Sequence, residues 1–339
     1  MMSAEVLSGV IVSVVCIVYN HEKYIRDALD GFLRQDTSFA VEFIVADDCS
    51  SDGTMDVINE YRDKFNGRLK VVRNESNLGF MKNLINALDM ASGKYIAICE
   101  GDDYWVDPEK LSVQVNKMDA LSSVDLSFHS SYIKYEFGDK VDSLFCKRAH
   151  GDCVFGIEDI IDSAGSFMPT ASMLIRGDAY RNLSPSIRAL YESYTTAFFT
   201  QLIFSFENGA LYIDRPMSVY RSMALGSWTE SVVNNPNIYM YWSDKYLCAV
   251  RLYNALTGYR QKSAFERAIS NKHFSILKHE GISKQYKKDY FSRHRSELTN
   301  WQVLFWWVVR FFPQWIFILR KGKRRLLKLK GGIRSLIGR

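Results

Sequence analysis

Four short runs of apolar, mostly β-branched residues punctuate the first hundred positions: Val10 to Tyr19, Val41 to Ala46, Leu69 to Val72 and Tyr95 to Cys99. Between them, apolar side chains recur three and four apart: Tyr24, Ile25, Leu29, Phe32 and Leu33, then Met55, Val57, Ile58 and Tyr61, then Met81, Leu84, Ile85 and Leu88. That spacing predicts helices, and near-continuous apolar runs predict strands buried on both faces. A β-α-β-α-β-α-β alternation predicts an α/β fold with a mostly parallel sheet, right-handed crossovers and helices on both faces. Such sheets take their ligands at the C-terminal ends of the strands. The polar clusters of this half all fall there: Tyr19-Asn20, Asp47-Asp48 and Glu100-Gly101-Asp102-Asp103.

The last cluster is chemically demanding. Three carboxylates within four residues repel, and each makes the others harder to ionise. A hard divalent cation relieves that repulsion, since such ions prefer oxygen ligands. A solvated acidic turn ahead of a helix is the alternative, and the two neighbouring clusters favour a nucleotide or metal site. No G-x-G-x-x-G follows the first strand, no G-x-x-x-x-G-K-[ST] exists and no H-E-x-x-H occurs. Dinucleotide binding, P-loop chemistry and zincin chemistry are therefore unsupported. A glycosidase carboxylate pair fits poorly, because these acids sit on adjacent turns of a nucleotide-type sheet.

Downstream, the pattern predicts a helix from Pro108 to about Leu121 and a strand over Val124 to Tyr135. His129 inside that strand reads as a core or rim histidine, and His21 as a helix-start residue. Residues 136–156 read as irregular. A short helix (Ile157 to Ser163), a strand (Pro169 to Arg176) and one aromatic-rich helix (Leu190 to Asn208) follow. Leu211 to Ile213 reads as a short strand and Asp214 to Trp228 as a loop holding Tyr220-Arg221. From Ile238 to about Arg295 the pattern is helical, with His273 and His279 expected to face solvent. We therefore expect a domain over 1–230, with a ligand half about 10–122 and a second half about 123–230. A helical region over 231–298 and a tail over 299–339 follow.

At 339 residues and 47% hydrophobic content, the chain can bury a large core. Its six cysteines form no C-x-x-C pair, and Met1 to Gly9 carries no basic residue ahead of an apolar run. Reduced thiols in a cytosolic protein are the expectation. The net charge of +5 is unevenly placed: residues 320–339 hold nine Lys/Arg and no acid. Ahead of them, Trp301 to Leu319 is strongly apolar but interrupted by Arg310 and Pro313. Spanning a bilayer needs about 20 mostly uncharged apolar residues, so the tail reads as a helix lying in a membrane interface. Packing on the protein itself and a nucleic-acid arm are the alternatives, and nucleic acid is the least favoured.

Taken in order, Val12-Ser13-Val14-Val15, Tyr19-Asn20, Asp47 to Thr54, Asn74 to Gly79, Gly93 to Ile96, Glu100 to Asp103, Trp105, Asp107-Pro108 and Lys110-Leu111 resemble the family 2 glycosyltransferases of GT-A fold. The resemblance covers about residues 10–225. It implies a GT-A, Rossmann-like domain, a nucleotide-sugar donor (UDP-linked by preference), a divalent metal (Mn²⁺ or Mg²⁺) and transfer with inversion. It places Tyr19, Asn20, Asp47, Asp48, Lys82, Glu100, Asp102 and Arg221 around the donor, and Asp102 and Asp103 at the metal. Glu100 stands where the family usually has Asp. The family's base belongs early in the helix ahead of Gly209. Thr195, Thr196 and Phe198 occupy those positions here, and Glu192 is the nearest carboxylate. Met223 replaces the histidine that usually follows Tyr-Arg. The implied setting is the cytoplasmic face of the inner membrane, in surface polysaccharide or lipopolysaccharide synthesis on a saccharide or lipid-linked acceptor. A catalytically inactive nucleotide-sugar-binding module and a nucleotidyltransferase are the alternatives.

Overall fold

The computed structural model describes residues 9–135, 141–194 and 196–311. Strand and helix alternate as expected over the first hundred residues: β1 (Val10–Val18), α1 (Ile25–Leu33), β2 (Ala40–Asp47), α2 (Thr54–Tyr61), β3 (Leu69–Arg73), α3 (Phe80–Asp89) and β4 (Tyr95–Ile98). β1 pairs in parallel with β2 and with β4, and β2 with β3. Alternate residues of β1, from Val12 through Val14 and Cys16 to Val18, pack with Ile25, Leu29 and Phe32 of α1 and with Phe43 and Val45 of β2. The other face of β1 meets α3, whose Leu84, Ile85 and Leu88 are buried. Double-sided burial explains why these strands read as continuous apolar runs. Truncating Phe32 to Ala in this core would cost about 3–5 kcal/mol.

Past the acidic turn the sheet becomes mixed. The remaining elements are β5 (Tyr104–Trp105), α4 (Lys110–Ala120), β6 (Leu126–Tyr135), β7 (Val141–Phe145), β8 (Cys153–Phe155), α5 (Ile157–Asp162), β9 (Leu174–Arg176), α6 (Gly177–Arg181), α7 (Pro185–Tyr194), α8 (Ala197–Ser205) and β10 (Ala210–Ser222). The strand order is β3-β2-β1-β4-β9-β6-β10-β5, with β7 beside β6 and β8 beside β10. β9 runs antiparallel to both β4 and β6 and so joins the two halves. Trp105 is fully buried, and its backbone approaches α1 closely. A Cβ on Gly31 would lie 2.7 Å from the Trp105 carbonyl oxygen, so only glycine fits that crossing.

Four local expectations are corrected here. The segment Asp214 to Trp228 is no loop: β10 runs unbroken to Ser222 and carries Tyr220 and Arg221 in the sheet. Pro216 is tolerated because the β6 register shifts between Ile213 and Ser218, so the ladder asks no N–H of it. The single helix over Leu190 to Asn208 is two, α7 and α8, with Thr196 in extended conformation just before α8. Pro169 to Arg176 opens with a 3-10 turn (Thr170–Ser172) before β9. The irregular stretch 136–156 contains β7 and β8, and its residues 136–140 lie outside the described residues.

Helices α9 (Trp228–Asn234), α10 (Pro236–Leu256), α11 (Lys262–Lys278), α12 (Lys284–His294) and α13 (Asn300–Phe311) complete the described chain. The composition changes near residue 230, and packing divides the chain into two units, up to Ala268 and from Ile269 onward. Within the second unit His273 is fully buried, not solvent-facing as expected, and His279 is half-buried. No helix among the described residues is long and apolar enough to cross a membrane. The tail beyond Phe311 lies outside the described residues. All six cysteines are unpaired.

Candidate functional site

Three strand ends converge at one edge of the sheet. The chain leaves β1 through Asn20, which adopts a left-handed conformation (φ 56°), and leaves β2 through Cys49 (φ 62°). Such backbone is uncommon for residues with a Cβ and clusters at functional sites. The two exits are tied together. The Asn20 N–H donates to the Ser50 hydroxyl at 2.9 Å, and the Asn20 side-chain oxygen accepts from the Ser51 N–H at 2.8 Å. On its other side β1 holds the acidic turn: the Gly101 N–H donates to the Ile17 carbonyl at 3.0 Å. A Cβ on Gly101 would lie 2.5 Å from the Val18 side chain and 2.8 Å from the His21 ring, which fixes how closely that turn lies on β1. Tyr19, exposed at 43%, projects from this junction.

Asp47 and Asp48 are both buried. The Asp47 carboxylate accepts from the Ser50 N–H and faces Arg73 at 3.3 Å, and its second oxygen has no hydrogen-bond partner. Asp48 organises the loop before α3. It accepts from the Asn74 amide at 2.9 Å, from the Leu78 N–H at 2.8 Å and from the Gly79 N–H at 2.8 Å. Gly79 has φ 82°, a left-handed value that a side chain would strain. Asn74 also bonds Asn83, whose amide reaches the Ala46 carbonyl, so α3 is keyed to the end of β2. Lys82 is exposed in the first turn of α3.

The turn Glu100 to Asp103 holds crowded charge. Burial, then the Asp102 charge, pushes the Glu100 carboxyl up to about 8, opposed by a hydrogen bond with Thr170. Asp103 is 1% exposed and raised well above the usual carboxylate range by burial, then by Asp102 and Glu100. One Asp103 oxygen accepts the Arg221 backbone N–H at 2.8 Å, and the other has no partner. An all-carboxylate set with an orphaned buried oxygen suits a hard divalent cation. Asp102, at the half-buried tip, and Asp103 are the residues able to hold it.

Arg221 is enclosed in protein. Its guanidinium donates to the Asp102 carbonyl at 2.7 Å, pairs with Asp27 of α1, and lies over the rings of Tyr24 (5.2 Å) and Tyr104 (4.7 Å). The geometry gives Arg221 the task of fixing the acidic turn. Asp27 is an acid in the first turn of α1, a position that carries no signal of this role in the sequence.

Two cavities flank Phe80. One, about 540 Å³, is lined by Phe80, Lys82, Asp89, Glu192, Tyr241 and Trp242. The other is about 20 Å³ and lies among Ile17, Phe80, Glu100, Thr170, Thr196 and Thr200. The start of α8 thus faces Glu100 with hydroxyls, not carboxylates, and Thr195 lies outside the described residues. Glu192 lies in the larger cavity, where it accepts from Arg188 at 2.5 Å, and Arg188 also binds Asp89. The structure therefore ties Asn20 to the exit of β2, ties Asp102 and Asp103 to Arg221, holds the acidic turn on β1 between them, and puts Lys82 and Glu192 on the wall of the larger cavity. Trp242, 5.3 Å from Phe80 between ring centroids, completes that wall. It lies outside the motifs that carried the resemblance.

Residues 13–174 match the description "Glycosyl transferase family 2". The chain carries a glycosyl transferase family 2 domain. An uncharacterized protein of Mycobacterium tuberculosis is 46% identical over 128 residues, which are 38% of this chain and 37% of that protein. The putative teichuronic acid biosynthesis glycosyltransferase TuaG of Bacillus subtilis is 38% identical over 108 residues (32% and 42%). The Escherichia coli UDP-Glc:alpha-D-GlcNAc-diphosphoundecaprenol beta-1,3-glucosyltransferase WfaP is 34% identical over 127 residues (38% and 48%). The matched stretch thus spans less than half the length of these relatives. Among solved structures, Staphylococcus aureus TarS with UDP-GlcNAc aligns with a TM-score of 0.63 at 20% identity, over 85% of this chain and 80% of that one. That likeness shows the fold, which is GT-A.

Proposed function

We propose that this protein is a glycosyltransferase that moves a sugar from a UDP-sugar to a saccharide or lipid-linked saccharide, with inversion, in surface polysaccharide or lipopolysaccharide synthesis. The observation that carries the proposal is the junction of Asn20, Asp48 and Glu100-Gly-Asp-Asp103 at the strand ends of a family 2 domain. UDP is favoured because WfaP is named for UDP-Glc and TarS is solved with UDP-GlcNAc. Tyr19, Asn20 and the Asp47-Asp48 end of β2 would receive the nucleoside, and Glu100 the ribose. A bound Mn²⁺ or Mg²⁺ would neutralise the departing diphosphate, held by Asp102 and Asp103. Lys82 stands ready at the cavity wall for the donor. The acceptor hydroxyl attacks the anomeric carbon, the bond to the diphosphate breaks, and the hydroxyl proton passes to a base. Glu192 is the carboxylate we assign to that role, because it lines the 540 Å³ cavity.

The tail supports attachment to the cytoplasmic membrane face. On α13, Trp301, Leu304, Trp307 and Phe311 are exposed, while Gln302 and Trp306 are buried. An aromatic helix face ahead of nine basic residues suits an anionic interface, at about 1 kcal/mol per basic residue. The hydroxyls at the start of α8 favour one second reading, a nucleotide-sugar-binding module without transfer. Incubation with several UDP- and GDP-sugars and Mn²⁺ separates the two. Release of UDP that Asp102→Asn abolishes is the expected result; binding without turnover of any sugar would establish the module.

A further inference from the structure

The second unit carries a cluster for which donor chemistry has no use. His273 lies on α11, Tyr290 and His294 lie on α12, and Glu297 ends the 3-10 turn (Arg295–Glu297) that follows α12. The His273 ring is fully buried, with Nδ1 2.8 Å from the Tyr290 hydroxyl and Nε2 3.3 Å from Glu297 Oε2. His294 Nδ1 lies 3.0 Å from the other oxygen of the same carboxylate, Oε1. One ligand atom from each of His273, His294 and Glu297 falls within 4.8 Å of the others.

We propose that His273, His294 and Glu297 form a zinc-class metal site, with the fourth position left to water. Two imidazole nitrogens and one carboxylate oxygen suit Zn²⁺, and are a poor set for Mg²⁺ or Mn²⁺, which favour oxygen. Tetrahedral zinc with bonds of about 2.0–2.1 Å sets its ligands roughly 3.3–3.4 Å apart. The edge from His273 Nε2 to Glu297 Oε2 already has that length, at 3.3 Å. Tyr290 engages the opposite nitrogen of His273, the outer contact that fixes ring orientation and tautomer in metal-bound histidines. Three-residue spacing puts His294 and Glu297 on one side of the helix end.

Loading requires one movement. The His273 and His294 rings stack at 4.5 Å with 26° between their planes. Each histidine already faces its own oxygen of the Glu297 carboxylate, so His294 and Glu297 must shift for one ion to sit between the three ligand atoms. These two side chains are partly exposed, at 26% and 33%, whereas His273 is enclosed. His273 is thus the fixed anchor, and the two outer ligands close on the metal. Without metal, each histidine meets its own oxygen of the Glu297 carboxylate; the ion replaces both contacts.

The test uses the full chain, stripped by a chelator and titrated with Zn²⁺ by calorimetry, with zinc counted by elemental analysis. One zinc per chain is expected. It should persist in Asp102→Asn, which separates it from the acidic turn. It should be lost in His294→Ala and Glu297→Gln, and bind roughly 10–100-fold more weakly in Tyr290→Phe. Both ligand changes are at partly exposed positions, and unaltered melting in chelator confirms that the variants fold. No stoichiometric zinc, or zinc bound unchanged in both ligand variants, as thiol binding would give, overturns the proposal.

Discussion

Replacing Arg221 with Ala separates two roles for this side chain: fixing the acidic turn, or touching the donor's phosphates. The side chain is 5% exposed, and its guanidinium is committed to the Asp102 carbonyl and the Asp27 carboxylate. Losing a hydrogen bond from a charged donor costs about 1.5–3 kcal/mol. Each of the contacts with the Tyr24 and Tyr104 rings adds about 0.5–1 kcal/mol. Asp27 is half-exposed and regains water, so its share stays under about 1 kcal/mol. Arg221→Ala should therefore destabilise by about 2.5–6 kcal/mol, read as a fall in the urea midpoint at constant slope. The backbone N–H that holds Asp103 survives the change, so the turn loosens at Asp102 and UDP affinity in Mn²⁺ falls as well. Arg221→Lys keeps the charge but loses the forked geometry, and should fall between. A variant that loses UDP affinity while its stability stays within about 0.5 kcal/mol of the parent would refute this reasoning and make Arg221 a ligand contact.

Asp48→Ala removes the acceptor of three hydrogen bonds in the loop before α3 and should cost about 2–4 kcal/mol, with UDP binding lost; denaturant unfolding and calorimetry check both. Lys110 is fully buried against Trp105, and burial pushes its ammonium down to about 7. Between about pH 7 and 10 the unfolded chain holds that proton and the folded one does not, so stability should rise by up to about 1.4 kcal/mol per pH unit. Lys110→Met should flatten that rise in unfolding measured across the range. Trp242→Ala should raise the acceptor KM at least fivefold while UDP affinity stays unchanged, if the 540 Å³ cavity receives the acceptor. Deleting residues 300–339 should move the protein out of the membrane fraction; unchanged partitioning would remove the interfacial tail.

The alternating half of the fold was legible because parallel strands buried on both faces leave apolar runs, as β1 does from Val12 to Val18. The acidic turn was legible because three carboxylates in four residues are costly wherever they fall. β10 was not, because Asp214, Arg215 and Pro216 imitate a loop; the register shift that absorbs them depends on β6, which lies far away in sequence. The division of α7 from α8 has no local sign, since the aromatic pattern runs through it. Asp27 and Arg221 are 194 residues apart, and no spacing rule joins them. His273 read as solvent-facing because its burial depends on α12 and the turn after it, not on α11 alone.

Calorimetric titration of UDP, with and without Mn²⁺, on the parent and on Asp102→Asn tests the central claim most directly. The account predicts that the metal strengthens UDP binding in the parent and that this gain disappears in the variant, with the fold intact. UDP binding that is absent, or equally strong without metal and in Asp102→Asn, would contradict it.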